Sequence, residues 1–266
     1  MPTEPWTADK VLADANDWVW VPRDSVHQRT EEYLAVVPPD YMRLPVLVRV
    51  FGSHRPADNL VDEVVELATG WGQSRLSWRI SDGMEPADLE DELLRRGAVL
   101  DERLDVLALP IADGLPDFGV PPDVVVREVT DEATLRDAHV VSTDAFGGGS
   151  PSDSQIAIEL DELRTGLPEG PVTRVVSYVD GRPAGTGGCT LAGAVARLWG
   201  GATHTDLRGR GAYRAVLAER LRLARAAGAT LGLSLGRVET SGPILRGLGF
   251  VRYGEQREVV LDTSGG

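Results

Sequence analysis

One short stretch constrains this chain more than any other: Thr205-Asp206-Leu207-Arg208-Gly209-Arg210-Gly211-Ala212-Tyr213. It follows a β-rich run, Val195 to Thr203, and precedes the longest helical pattern, Gly211 to Ala227. A glycine-rich turn from strand to helix leaves backbone N–H groups free and aims the positive end of a helix at whatever lies in front of it. A pyrophosphate suits that position. Glycine removes side chains that would block its approach, and Arg208, Arg210 and Arg214 add charge-assisted contacts. Taken alone, a solvated Arg/Gly loop that merely starts a helix explains the same residues. The surroundings have to decide.

Before the turn, Thr173 to Val179 and Ala184 to Leu191 flank Asp180-Gly181, a hairpin signature, and two helical patterns come earlier, Asp131 to Phe146 and Ser154 to Leu163. After it come a strand, Thr230 to Leu235, a short helix, Gly242 to Leu248, and paired strands near Tyr253 and Val259. Three prolines and two glycines crowd Ile111 to Asp123, which predicts a linker at 113–123 between an N-terminal domain, 1–112, and a C-terminal one, 124–266. The N-terminal part alternates strand and helix: Pro45 to Phe51, Asn59 to Leu67, Leu76 to Ile80, Ala87 to Arg96, Asp101 to Leu109. Leu93 to Val99 and Leu245 to Val251 read alike, which suggests a degenerate tandem duplication, although any helix that ends on glycine before a strand looks this way.

Composition removes several classes of function. A formal net charge of -14 repels nucleic-acid phosphates. No apolar stretch is long enough to span a membrane, and Met1 to Lys10 has no basic region leading into an apolar run, so a cytoplasmic protein with no membrane partner is expected. Cys189 is the only cysteine and lies in an apolar, glycine-rich strand, which predicts a buried, inert thiol. His27, His54, His139 and His204 show no metal-ligand spacing, and no metal is expected.

The succession of hairpin, strand, Arg-Gly-x-Gly turn, amphipathic helix, strand and short helix ending in Leu248-Gly249-Phe250 resembles the GNAT acyltransferases over about Val124 to Leu261. A dinucleotide fold fits less well, because its glycine-rich turn follows a first parallel strand rather than an antiparallel hairpin. The resemblance implies an α/β (α+β) fold with a mixed, mostly antiparallel central sheet flanked by helices, and a second, degenerate GNAT-like N-terminal domain. It implies acetyl-CoA or another acyl-CoA as co-substrate. Gly209 and Gly211 match the family's glycines and Arg208 and Arg210 its variable positions, while Asp206 stands where the family has Gln or Arg. Ala212, Tyr213 and Arg214 open the helix behind the turn. Gly201, Ala202 and Thr203 fall where the family reads pantetheine and the thioester carbonyl through backbone groups.

The family's proton-transfer groups are missing. Its tyrosine, five residues before the Phe of Leu-Gly-Phe, is Leu245 here, and its strand glutamate gives way to Arg197 and Trp199. Glu239 is the catalytic candidate that remains, a carboxylate able to take an amine proton through water, with a solvated loop charge as the alternative. Glu159, Asp161 and Glu162 on the second helix offer an anchor for a cationic acceptor or simply an exposed face. Phe51 to Asp58 lacks the Arg-Gly-x-Gly turn, so the N-terminal domain is expected to bind no CoA and to cover the C-terminal domain or form a homodimer surface. The expected activity is N-acetyl transfer to a primary amine of a small molecule. The alternatives are a non-catalytic acyl-CoA-binding or partner-binding protein and transfer from a carrier-bound donor.

Overall fold

A computed structural model describes residues 6–23 and 25–264, so half of the Met1–Lys10 start lies outside the described residues. In chain order the elements are α1 Ala8–Asn16, β1 His27–Arg29, β2 Tyr33–Val36, β3 Val46–Val50, α2 Ala57–Gly70, β4 Arg75–Ser81, α3 Leu89–Arg95 and β5 Val99–Pro110, followed by β6 Val125–Glu128, α4 Glu132–Phe146, α5 Asp153–Thr165, β7 Val172–Val179, β8 Arg182–Ala192, β9 Val195–Thr203, α6 Ala212–Ala226, β10 Leu231–Arg237, α7 Ser241–Gly247 and β11 Val251–Asp262. Among the described residues no helix is long and apolar enough to cross a membrane.

The chain divides into two compact units that are not contiguous in sequence. One holds Leu107–Leu235, Ile244–Val251 and a short N-terminal piece ending at Val11; the other holds Leu12–Val106, Gly236–Pro243 and the stretch from Arg252 onward. The segment read as a linker carries no regular structure, yet Phe118 is buried in the first unit against Leu217 and Leu221. Its prolines prevent helix or strand but not burial.

In the first unit the strand order is β10-β9-β8-β7-β6. The β6/β7, β7/β8 and β8/β9 pairs are antiparallel and β9/β10 is parallel. The hairpin at Asp180-Gly181 forms as its sequence predicts, with φ of 51° and 76°. Helices lie on both faces because β7 alternates with period two. Val176 and Tyr178 pack with Leu135 of α4 and Ile156 of α5, whereas Val179 packs with Ala212 and Ala215 of α6. Both α4 and α5 start with a capping box, Asp131 with Thr134 and Ser152 with Gln155.

The second unit has the order β1-β2-β3-β4-β11. Its parallel pair, β3/β4, is joined through α2, the same strand–helix–strand unit as β9–α6–β10. Trp78, Leu60 and Val64 centre its core. The other neighbour of β4 is β11, antiparallel from Gln256↔Ser81 to Asp262↔Arg75. One continuous strand therefore replaces the paired strands expected near Tyr253 and Val259.

The suspected internal repeat has matching backbone. Leu93 O accepts from Ala98 N at 2.9 Å and Leu245 O from Phe250 N at 3.1 Å. Gly97 and Gly249 close the two helices with φ of 91° and 97°, and the strands then begin at Val99 and Val251. Glycine is needed at both places because a Cβ disfavours that left-handed cap.

Candidate functional site

Strand β9 builds the site through a defect. Its register with β8 runs Gly185↔Thr203, Thr186↔Ala202, then Gly188↔Trp199, so Gly200 and Gly201 together face the single residue Gly187. This is a β-bulge, and Gly200 takes the left-handed conformation, φ 60°, that such a bulge requires. The β9/β10 ladder runs only from Leu231↔Val195 to Ser234↔Leu198. Beyond Leu198, β9 continues to Thr203 with its β10-side edge outside that ladder, so the strands part where the bulge lies. Ala202 and Thr203 keep their pairing to β8, and Gly201 is half-buried.

From β9 the chain passes through a 3-10 turn, Thr205–Leu207, into the glycine turn. The Asp144 carboxylate at the end of α4 ties it down, accepting from Thr205 N at 2.6 Å and Thr205 Oγ1 at 2.8 Å. Those two bonds, the backbone one first, hold the Asp144 carboxyl below its ordinary range. His204 Nδ1 lies 3.7 Å from the same carboxylate and accepts from Asp206 N. Arg208, Gly209 and Arg210 are exposed.

Helix α6 then begins at Gly211, φ 82°, without a side-chain cap. That is the difference from α4 and α5, whose first N–H groups are taken by Asp131 and Ser152. The leading amides of a 15-residue helix are left for an anion, with nothing within 4 Å of the Cβ position of Gly209. A cradle for a pyrophosphate fits these residues. Arg210 also pairs with Asp180 at 3.3 Å and Asp123 at 3.5 Å, so its charge is shared with two carboxylates. Arg214 lies beside Gly119, its Nη1 3.1 Å from the Cβ position there.

Behind the bulge is a residue that the sequence analysis missed. Arg220 of α6 is 1% exposed, and its Nη1 donates to Gly188 O at 3.1 Å and Trp199 O at 3.2 Å, the residue pair adjoining the bulge. A Cβ on Gly187 would lie 2.8 Å from its Cζ. The glycines at 187, 188, 200 and 201 were the available signal, since glycine inside a strand marks a bulge or a close approach.

No family model matches this sequence, and no curated protein matches it. Solved structures do. A GCN5-related N-acetyltransferase from Kribbella flavida superposes with a TM-score of 0.64 at 18% identity, over 97% of this chain and 96% of that one. A tandem GNAT protein from the clavulanic acid biosynthesis pathway gives 0.63 at 15%, over 98% and 91%. A GCN5-related N-acetyltransferase from Sphaerobacter thermophilus gives 0.63 at 16%, over 97% and 86%. The chain has the fold of the GNAT superfamily. Its likeness to the tandem GNAT protein extends over nearly its full length.

Within that fold the candidate residues separate. Gly201, Ala202, Thr203, Arg208, Gly209, Arg210, Gly211, Ala212, Tyr213 and Arg214 all fall in the first unit, on β9, the turn and the start of α6. Glu239 belongs to the second unit, exposed in the turn after β10. Leu245, at the position of the usual GNAT tyrosine, is core, 1% exposed beside Phe250. The acidic residues of α5 are not a simple solvated face. Glu162 is buried, and Glu159 Oε2 accepts from Arg174 Nη1 at 3.1 Å and contacts His139 Nε2 at 3.0 Å. Cys189 is buried, which pushes its thiol up to about 11.

Proposed function

We propose that this GNAT-fold protein is an N-acyltransferase that moves an acetyl group from acetyl-CoA to a primary amine of a small molecule. The observation that carries the reading is the uncapped start of α6 behind Arg208-Gly209-Arg210-Gly211, next to a β9 edge that is free of the β10 ladder. The turn receives the pyrophosphate: the α6 amides and Arg208 are its ligands, and Arg210 adds a share of its charge. The opened edge of β9 offers backbone groups at Gly200, Gly201 and Ala202 to the pantetheine arm and the thioester carbonyl.

Acetyl-CoA supplies an activated acyl carbon. The amine nitrogen bonds to that carbon, the C–S bond breaks, and the sulfur leaves with the electron pair as a thiolate. The proton lost by the amine goes to water or, through water, to Glu239. The two copies of the strand–helix–strand unit differ in chemistry at the helix start. Before α2, Arg55 is held by Glu32 at 2.7 Å and Glu63 at 2.7 Å, so the arginine there is already paired with carboxylates. A cavity of about 390 Å³ nearby is lined by Asp17, Asp82 and Glu85, which repel phosphate. This supports a single CoA site per chain, in the first unit.

The experiment is calorimetry with CoA, followed by a screen of amines and amino acids with acetyl-CoA, read as release of free thiol. One CoA bound per chain and amine-dependent thiol release are expected. Binding without turnover for any amine would favour the non-catalytic reading, and no binding would remove the CoA assignment. Transfer from a carrier-bound donor would appear as activity with an acylated carrier protein and none with acetyl-CoA.

A further inference from the structure

Arg220 is a cation in the wrong place for stability alone. The guanidinium is buried between α6 and the sheet; among the described residues Nε has no hydrogen-bond partner, and the titratable groups acting on the guanidinium are Tyr213, which also hydrogen-bonds it, and Cys189, with no carboxylate. An unpaired buried charge is among the costlier things a fold can keep. Glycine at 187, 188 and 201 makes room for it: a Cβ on Gly201 would lie 3.0 Å from Tyr213 Cε2, 3.6 Å from the Tyr213 hydroxyl and 3.5 Å from Arg220 Nη2. Arg220 thus reaches the bulge of β9 at the Trp199 carbonyl, with the Tyr213 ring beside Gly201.

We infer that Arg220 is a positioning residue for acyl transfer, which fixes the β9 bulge and lends its uncompensated charge to the negative sulfur and oxygen of the reacting thioester. The inference rests on the acyl-CoA reading above. Its first part is geometric. Arg220 Nη1 holds the Trp199 carbonyl toward α6. Carbonyl and N–H of one trans peptide point in opposite directions, so the Gly200 N–H is turned away from α6 and kept from sealing against the guanidinium. Its second part is electrostatic. A buried positive charge acts on a nearby developing anion through low-dielectric protein, where it counts for more than one at the surface. This offers a way for the thiolate to leave without the tyrosine that Leu245 replaces. The sulfur departs with its electron pair, stabilised by the field of Arg220, and takes a proton from water afterwards.

The test needs no acceptor. Affinities of CoA and of desulfo-CoA are measured by calorimetry from about pH 6 to about pH 9, a range spanning the ordinary thiol pKa of about 8.5. If the field favours the thiolate, the bound thiol titrates lower than the free one, and CoA affinity rises with pH relative to desulfo-CoA by about tenfold. Tyr213 and Cys189, the groups facing Arg220, are both pushed up by burial, Cys189 to about 11, and stay neutral in that range. His204, facing Asp144 beside the turn, acts on both ligands alike. Arg220→Met is expected to abolish the rise and Arg220→Lys to restore part of it, with thermal melts showing that each is folded. If Arg220→Met does not fold, Arg220→Lys decides, by a reduced rise. An unchanged rise in a folded Arg220→Met or Arg220→Lys, or a flat ratio in a wild type that binds CoA, overturns the inference and leaves the acyl-CoA reading standing. A wild type that binds no CoA overturns both.

Discussion

Gly209 and Gly211 offer a paired test of the turn, because they share a backbone conformation and differ in surroundings. Their φ values are 76° and 82°, and alanine in that region costs roughly 1–2 kcal/mol at either position. At Gly209 nothing else is added, since no atom lies within 4 Å of a new Cβ. At Gly211 the Cβ would meet Pro121 Cδ at 2.4 Å and Cγ at 2.5 Å, a rigid ring that has to move, and overpacking adds roughly 1–3 kcal/mol. At roughly 2–4 °C of Tm per kcal/mol, Gly209→Ala should melt about 2–8 °C lower and Gly211→Ala about twice that. Binding should not follow stability. The Gly209 methyl projects into the space assigned to the pyrophosphate and should weaken CoA about tenfold, the loss of one charge-assisted hydrogen bond of roughly 1.5 kcal/mol. Gly211→Ala, its methyl directed at Pro121, should lose stability first. Thermal melts and calorimetry with CoA well below the melting range give both quantities. Equal destabilisation would show that Pro121 yields freely, and full CoA affinity in Gly209→Ala would show that the phosphates do not approach there. Because of Pro121, a large side chain at position 211 tests the packing of the turn and not the cofactor.

Four further outcomes are expected. The Asp144 carboxyl is held low by Thr205, so its stabilisation is complete above the ordinary carboxylate range near about 4 and is lost as the pH falls through its depressed folded value; Asp144→Asn should flatten that acid limb of the stability curve. Cys189, with its thiol at about 11, should carry only about one thiolate per thousand molecules at pH 8 and react with a thiol reagent only after denaturation; prompt reaction in the folded protein would contradict its burial. Residues 111–266 expressed alone should aggregate, because Val259 and Leu261 of β11 belong to a core built on Trp78 and Leu76, which that fragment lacks; a monomeric fragment melting like the whole chain would refute this. If Glu239 takes the amine proton, Glu239→Gln should slow turnover by about 100-fold with CoA affinity kept; an unchanged rate that follows the amine's own titration assigns the proton to bulk water.

The sequence by itself determined the order of elements from β6 to α7, the Asp180-Gly181 hairpin, the glycine turn into α6 and the matching ends of α3 and α7, because each rests on local physics: period, cap and left-handed glycine. The resemblance carried by those elements made the fold class legible, and the local logic located Gly209 and Gly211. Tertiary structure alone decided the rest. Strand β11 pairs with β4 across 175 positions from Ser81 to Gln256, and nothing in either strand encodes the other's position. The acidic stretch of α5 looked solvated, but Glu159 and Glu162 are drawn inward, Glu159 by Arg174 and His139, which lie on other elements. Arg220 reads in sequence as one more charge on an arginine-rich amphipathic helix. Only the glycines of two strands, brought beneath it by sheet register, turn it into a buried cation at the bulge, because burial depends on what packs opposite and not on the residue that is buried.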